Sequence, residues 1–410
     1  GGKGGGGASC MEFTIIDCPG RPGMERRVSE ASSLADAAII TVSAKPDEFE
    51  SSLMQFRQHA SAALATGMKT FIIAVTKMDD PTVAFSPTRY AEVEKAARDF
   101  LRTRLKPDAK VYTLPVACLA KKKKNANISR PPPTGSPMDL CIQKSKRKRT
   151  QCLVALLASL KRLPKRSHYN VSKRPLRMFV YHSFQAPGAI IALGRVETGE
   201  IYIGQNVTIL PIHAKARVVS IEHHYERREK EGAGSIIGVG VNGMGVTCFR
   251  RGYVICDDNP SVPTEIKAQI VITNQPYSIR PGMCFEMDVH CAHVPVKLKS
   301  IIHRTSGRSR DGKEAGGEIL EISPKSLGPT ERGLVIFTIL KPLFVQPTKD
   351  CFALGRIVLR NRKIIIAAGS IKSTLNTSPT ANAESEKLER RNEGKKKEKN
   401  LSSSTLDSKA

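Results

Sequence analysis

The 410-residue sequence has no Cys-x-x-Cys pair and no cysteine–histidine set at zinc-ligand spacing, although it carries ten cysteines and nine histidines. That excludes a metal-stapled domain and, with no secretory signal peptide, suits free thiols in a reducing compartment. No apolar run approaches the roughly 20 residues that cross a bilayer; segments such as 364–368 are the longest candidates. A cytoplasmic protein with no membrane contact is expected. A phosphate-binding loop is also missing. The glycine-rich start, broken by Lys3, has no strand before it and no Gly-Lys-Ser/Thr ending, so it reads as low complexity. The chain opens on Gly1, and we expect a sequence incomplete at its beginning. Acidic residues are scarce: 38 Asp and Glu stand against 65 Lys and Arg, a formal charge of +27. Such an excess favours a polyanion, because binding releases condensed counterions. RNA is the natural partner, although runs at 121–124, 144–149 and the tail are also what solvated basic segments look like.

Short apolar runs at 13–16, 38–42, 71–75 and 111–116 alternate with stretches of helical character at 27–34, 53–66 and 90–105. That rhythm predicts βαβ units and a parallel sheet. Residues 119–150 interrupt it with a lysine run, three consecutive prolines and the string 144–149, either an exposed loop or a nuclear-localisation run. An apolar helix at 152–160 then closes the first domain. From 173 onward, short strands at 189–196, 200–203, 207–210 and 217–221 are separated by glycine turns, and a similar series runs through 268–272, 296–302, 317–322, 333–340 and 364–368. These predict two closed all-β barrels. The expected order is a low-complexity start (1–12), an α/β domain (13–172), barrels at 173–262 and 263–372, and a disordered charged tail (373–410).

The run 13–16 leads into Asp17-Cys18-Pro19-Gly20, and open α/β sheets bind ligands beyond the carboxyl ends of their strands. A carboxylate there can hold magnesium through water, and a glycine lets its N–H approach a terminal phosphate. The run 71–75 leads likewise into Thr76-Lys77-Met78-Asp79. Asp79 can accept two hydrogen bonds from N1–H and the exocyclic amine of guanine, which adenine does not present together, and the aliphatic stem of Lys77 can pack on the ring. Either motif alone reads as a polar turn. In this order, on successive strand ends, they point to a guanine-nucleotide site.

Together with Glu48-Phe49-Glu50, Gly194-Arg195-Val196-Glu197-Thr198-Gly199, Arg250-Arg251-Gly252, Cys291-Ala292-His293-Val294 and Leu354-Gly355-Arg356, these motifs resemble the translation elongation factor 1-alpha family, in its order. The resemblance implies a phosphate-loop-GTPase-like α/β domain followed by two β barrels, binding GTP or GDP with Mg2+. It also implies delivery of aminoacyl-tRNA to the ribosome, with a nucleotide exchange factor among the partners. It assigns Asp17 (indirectly to magnesium), Gly20, Thr76, Lys77, Asp79 and Ala117 to the nucleotide, and Arg195, Glu197 and Arg251 to the tRNA side of the barrels. The sequence departs from the family pattern at several points. Arg21 replaces the histidine that orients water, Thr76 an asparagine and Ala117 a serine, and the phosphate loop is absent. Four lost phosphate contacts at about 1.5–3 kcal/mol each approach the roughly 12 kcal/mol of a nanomolar ligand, which predicts weak GTP binding by the chain as written. A release or ribosome-rescue GTPase, and a non-catalytic RNA- or protein-binding module, stay open beside the elongation factor.

Overall fold

The computed structural model describes residues 13–21, 23–102, 104–105, 109–117, 169–243, 250–273, 278–305, 319–362 and 364–376. The insertion 119–150 and the helix expected at 152–160 lie outside them. The last strand runs to Leu375, so residues 373–375 of the expected tail belong to it, and 377–410 lie outside the described residues.

The α/β part contains α1 (Glu25–Leu34), β1 (Ala38–Ser43), α2 (Pro46–Ala65), β2 (Thr70–Thr76), α3 (Pro87–Arg102) and β3 (Lys110–Pro115). The strands form a parallel sheet in the order β1-β2-β3, with Ser43 opposite Thr76 and Val75 opposite Pro115. Among the described residues only β2 has a neighbour on both sides, and its first six residues are all buried, as expected of a central strand in a parallel sheet. Helix α2 begins at Pro46, where a missing N–H costs nothing, and Asp47 and Glu48 in its first turn complement the helix dipole. Helix α3 buries Tyr90, Val93, Ala97 and Leu101, a stripe at helical spacing. These faces enclose the sheet in one apolar cluster with Phe56, Phe71, Ile73 and Val75 at its centre.

One expected strand does not form. Residues 13–16 are extended but take no place in the sheet, and Ile15 is 89% exposed. An apolar run specifies an extended conformation, whereas a strand also needs a ladder partner for its N–H and C=O groups. No such partner stands beside this run among the described residues.

After the single turn α4 (Tyr169–Ser172), the first barrel comprises β4 (Arg177–Ala186), β5 (Ala189–Thr198), β6 (Glu200–Tyr202), β7 (Asn206–Leu210), β8 (Ala214–His223), β9 (Glu226–Arg227), β10 (Lys230–Gly232), β11 (Ile236–Asn242) and β12 (Val254–Cys256). The order β11-β5-β4-β12-β7-β8 closes through pairing of β8 with β11; β9 extends β8, and β6 pairs with β10. The second comprises β13 (Glu265–Ile272), β14 (Cys284–Val289), β15 (Ala292–Thr305), β16 (Ile319–Ile322), β17 (Arg332–Ile339), the turn α5 (Phe352–Gly355), β18 (Arg356–Asn361) and β19 (Ile364–Leu375). Here β14-β18-β19-β13-β17-β15 closes through β14–β15, and β16 is appended to β15. Closure removes sheet edges, and each barrel encloses its own apolar core. A further cluster of Leu34, Phe179, Leu210, Cys256, Cys291, Phe344 and Leu354 joins the end of α1 to both barrels.

Candidate nucleotide-binding loops and the α1 junction

Four of the expected site residues, Thr76, Lys77, Asp79 and Ala117, lie at the carboxyl ends of β2 and β3. Thr76 closes β2 and donates its hydroxyl to the Val42 carbonyl at 3.3 Å. Lys77 then turns into the left-handed region, with φ of 59°. Met78 is fully buried beneath the loop. Its N–H reaches the Val116 carbonyl at 3.5 Å, and its own carbonyl accepts the Phe85 N–H at 2.8 Å. The loop after β2 is thereby tied to the end of β3, where Val116 donates to the Val75 carbonyl at 2.7 Å and Ala117 follows, buried. Asp79 stands between these ends, and its carboxylate has no hydrogen bond or ion pair among the described residues. Lys77 Nζ bonds to Glu48 Oε2 at the start of α2. That bond, opposed by desolvation and aided by Ser43, holds the Glu48 carboxyl below its usual pKa.

The other half of the expected site is elsewhere. Asp17 is exposed, and its Oδ1 accepts the N–H of Cys18 at 2.9 Å. Thr14 meets His224 of the first barrel at 3.1 Å, and a Cβ built on Gly20 would lie 3.9 Å from His59 Cε1. His59 is eleven residues beyond Glu48 on α2, a separation of about 16 Å at the helical rise. Gly20 therefore attends the second half of α2, and Asp17 precedes Cys18, whose thiol donates to the Arg27 carbonyl of α1 at 3.7 Å; among the described residues neither bonds to the Lys77–Asp79 loop. Their expected placement at a strand end fails with the unformed strand. Arg21 is exposed, and its backbone carbonyl accepts the Met24 N–H that opens α1. The base half of a guanine site thus fits the residues present. No magnesium and phosphate set is gathered among the described residues.

Of the barrel residues expected to face tRNA, Arg195 and Arg251 bond to α1, and Glu197 pairs with Arg195. Arg195, on β5, is 1% exposed. Its guanidinium donates to the Leu34 carbonyl at the end of α1 and, at 2.7 Å, to Asp36, and its Nε lies 3.1 Å from Glu197. Glu197 is itself buried. Arg251 donates to Glu30 on α1 and, at 3.0 Å, to the Tyr181 carbonyl. Inter-domain packing has withdrawn Arg195 and Glu197 from solvent, which motif matching has no means of showing.

Residues that the sequence did not single out complete this junction. Glu30 accepts from His293 Nε2 at 2.9 Å, His293 Nδ1 lies 2.7 Å from Asp288, and Arg360 links Asp288 to Ser29 on α1. Arg26 adds a 2.7 Å ion pair to Glu286. Burial disfavours the charge on Glu30, but the bonds from His293 and Arg251 outweigh it and hold the carboxyl below its ordinary 4.5. Burial likewise opposes the charge on His293, while Asp288 and Glu30 hold its pKa above the ordinary 6.5. Neighbouring His290 is fully enclosed and stacked on Phe179 at 5.1 Å, and its pKa is driven down to about 3 by burial. The one sequence signal for this cluster was His293 within Cys291-Ala292-His293-Val294. A cavity of about 350 Å3 lies at the same junction, lined by Ser29, Asp36, Met68, His290, Phe352 and Arg356, away from the Lys77–Asp79 loop.

Comparison with known proteins follows the same division. Residues 8–178 match the elongation factor Tu GTP binding domain, 190–256 elongation factor Tu domain 2, and 265–372 the GTP-eEF1A C-terminal domain-like family. Elongation factor 1-alpha of Blastocystis hominis is 30% identical over 371 residues, covering 88% of this chain and 80% of that protein. The protein of the same name from Pyrobaculum calidifontis is 30% identical over 365 residues, covering 88% and 76%. Among solved structures, translation elongation factor SelB from Methanococcus maripaludis in complex with the GTP analogue GppNHp is similar in fold, with a TM-score of 0.61 and 16% identity over 88% of this chain and 70% of that one.

Proposed function

The chain belongs to the elongation factor 1-alpha family of translational GTPases, and from that premise we propose that it binds the guanine base at the carboxyl ends of β2 and β3. In this reading Asp79 accepts from N1–H and the exocyclic amine, Lys77 lays its stem along the ring, and the backbone at Ala117 closes the third side. The observation that carries the reading is the tie of Met78 N–H to the Val116 carbonyl, which joins the residues preceding Asp79 and Ala117, with no partner for the Asp79 carboxylate among the described residues. Thr76 braces the loop through Val42. Titration of a fluorescent GDP analogue tests it. Asp79→Ala should weaken binding at least tenfold, since it removes two hydrogen bonds from a charged acceptor, and equal affinity of the two proteins would sink the assignment.

By the same family relation the working cycle is delivery of aminoacyl-tRNA to the ribosome, with Mg2+ and an exchange factor as accompanying components and the cytoplasm as its place. The strongly basic composition supports an RNA partner. No helix among the described residues is long and apolar enough to cross a membrane. Magnesium, when bound, would neutralise phosphate charge, and Asp17 would reach it through water only if its segment moved toward the base loop. Arg21 cannot accept a proton from water, which leaves hydrolysis without a base at that position.

A second reading rests on the separation of Asp17 and Gly20 from the base loop: a module in which the barrels and α1 bind RNA or protein without nucleotide turnover. RNA affinity that falls with salt and ignores added GTP would favour it.

A further inference from the structure

We propose that Glu48 is a positioning residue that fixes Lys77 for guanine-nucleotide binding, an inference that rests on the guanine-site reading above. The motif Glu48-Phe49-Glu50 has no place in that site as described, yet Glu48 is built into its support. β1 and β2 end in register at Ser43 and Thr76, so the first turn of α2 rises beside the loop that follows β2. Ser43 is held from two sides: its N–H donates to Ser52 Oγ at 2.9 Å, and its hydroxyl accepts the Lys45 N–H at 3.3 Å. The same hydroxyl donates to Glu48 Oε2 at 3.1 Å, and that oxygen also takes Lys77 Nζ. The other oxygen, Oε1, lies 3.8 Å from Lys45 Nζ, which is itself bonded to Asp47 at 2.8 Å.

The Lys77 side chain is therefore held at both ends. Its backbone is fixed by the left-handed turn and by buried Met78, and its ammonium is fixed by a carboxylate that Ser43 orients. Most half-exposed ion pairs join two freely rotating chains and contribute little, because ordering both opposes the attraction. In this pair the ordering is largely done by the backbone and by Ser43. The lysine stem thus runs from the loop after β2 to the first turn of α2, and its aliphatic part offers a surface on which a purine face can pack. Glu50, two residues on, is exposed and has no such contact among the described residues.

The test is a double-mutant cycle on the full chain, read by titration of fluorescent GDP together with the thermal midpoint of each protein. Glu48→Gln should weaken GDP binding about two- to fivefold, the scale of a partly exposed ion pair, with the midpoint within a degree or so of the parent and Glu50→Gln unchanged. In a Lys77→Met background, which keeps a stem without a charge, Glu48→Gln should have no further effect. Equal weakening in both backgrounds would assign Glu48 a merely structural role and overturn the inference. Parental affinity in Glu48→Gln would overturn it as well, while leaving the guanine site standing. Failure of the parent protein to bind GDP would remove the guanine-site reading itself, and the role of Glu48 with it.

Discussion

At the scale of single residues, Arg195 shows how much a buried charge depends on its surroundings. Its guanidinium is almost wholly enclosed, and its partners come from the end of α1, from Asp36 and from Glu197 on its own strand. Desolvation works against its charge, yet the two carboxylates outweigh it and keep the group firmly protonated. Arg195→Ala would leave Glu197 and the Leu34 carbonyl without that cation in a buried site. A loss of about 3–5 kcal/mol is expected, measured by chemical denaturation. A loss below about 1 kcal/mol would mean that α1 is not held through this residue. The sequence marked Arg195 by its motif but not its neighbours on α1, because a motif records residue types and only packing decides which surface they face. Lys77 and Asp79 lie where the sequence expected them, just after a strand end. Their chemistry is local to one loop, and that loop follows a strand legible as a continuous apolar run.

At the scale of elements, α1 is the piece whose position is most sensitive to conditions. Its Glu30 and the His293 of β15 form a charged pair with Asp288 behind it and Arg251, Arg27 and Arg360 around it. The two titrations act in opposite directions. The raised pKa of His293 contributes stability that is present in full below the ordinary imidazole value of 6.5 and lost as pH rises through the folded value. The lowered pKa of Glu30 contributes stability present above 4.5 and lost as pH falls through its folded value. The clamp should be strongest between those limits. Thermal midpoints recorded from pH 5 to pH 9 should fall above pH 6.5 more steeply for the parent protein than for His293→Gln, and superimposable profiles would refute a charged clamp. Element positions were largely readable in advance: the runs at 38–42, 71–75 and 111–116 became strands because apolar runs between helical stretches fit a buried parallel sheet. The run at 13–16 had the same composition and became none, since pairing is a property of two segments.

At the scale of the whole molecule, three bodies meet at a small number of close approaches. Gly252, before β12, has φ of +90°, and a Cβ there would come within 2.5 Å of the Cβ of Ala292 at the start of β15. Gly188 also has positive φ, at +76°, but nothing lies within 4 Å of its missing Cβ. Both alanine substitutions incur the strain of an L residue in the left-handed region, about 1–2 kcal/mol. Only Gly252→Ala also drives the barrels apart, for which overpacking adds about 1–3 kcal/mol. Gly252→Ala should therefore lower the denaturation midpoint clearly more than Gly188→Ala, and equal effects would show that the barrels do not depend on this contact. Arg356 contributes to the same assembly from the other side, bonding the Ala65 carbonyl at the end of α2 at 3.1 Å.

By itself the sequence determined the class of each body and the place of the Lys77–Asp79 loop at a strand end. Alternating apolar runs, turn glycines and the Lys77-Met78-Asp79 string act over a few residues, and the physics that reads them is local: strand period, turn geometry and the donors a carboxylate can accept. The tertiary structure alone decided that residues 13–16 stay out of the sheet and that Gly20 lies by His59. It also decided that Arg195 and Arg251 bond to α1, and that Glu48 holds Lys77. Each of these pairs a residue with another far along the chain or on a different element. A buried charge, a ladder and an anchored ammonium all require their partner in space, and sequence order does not carry that information.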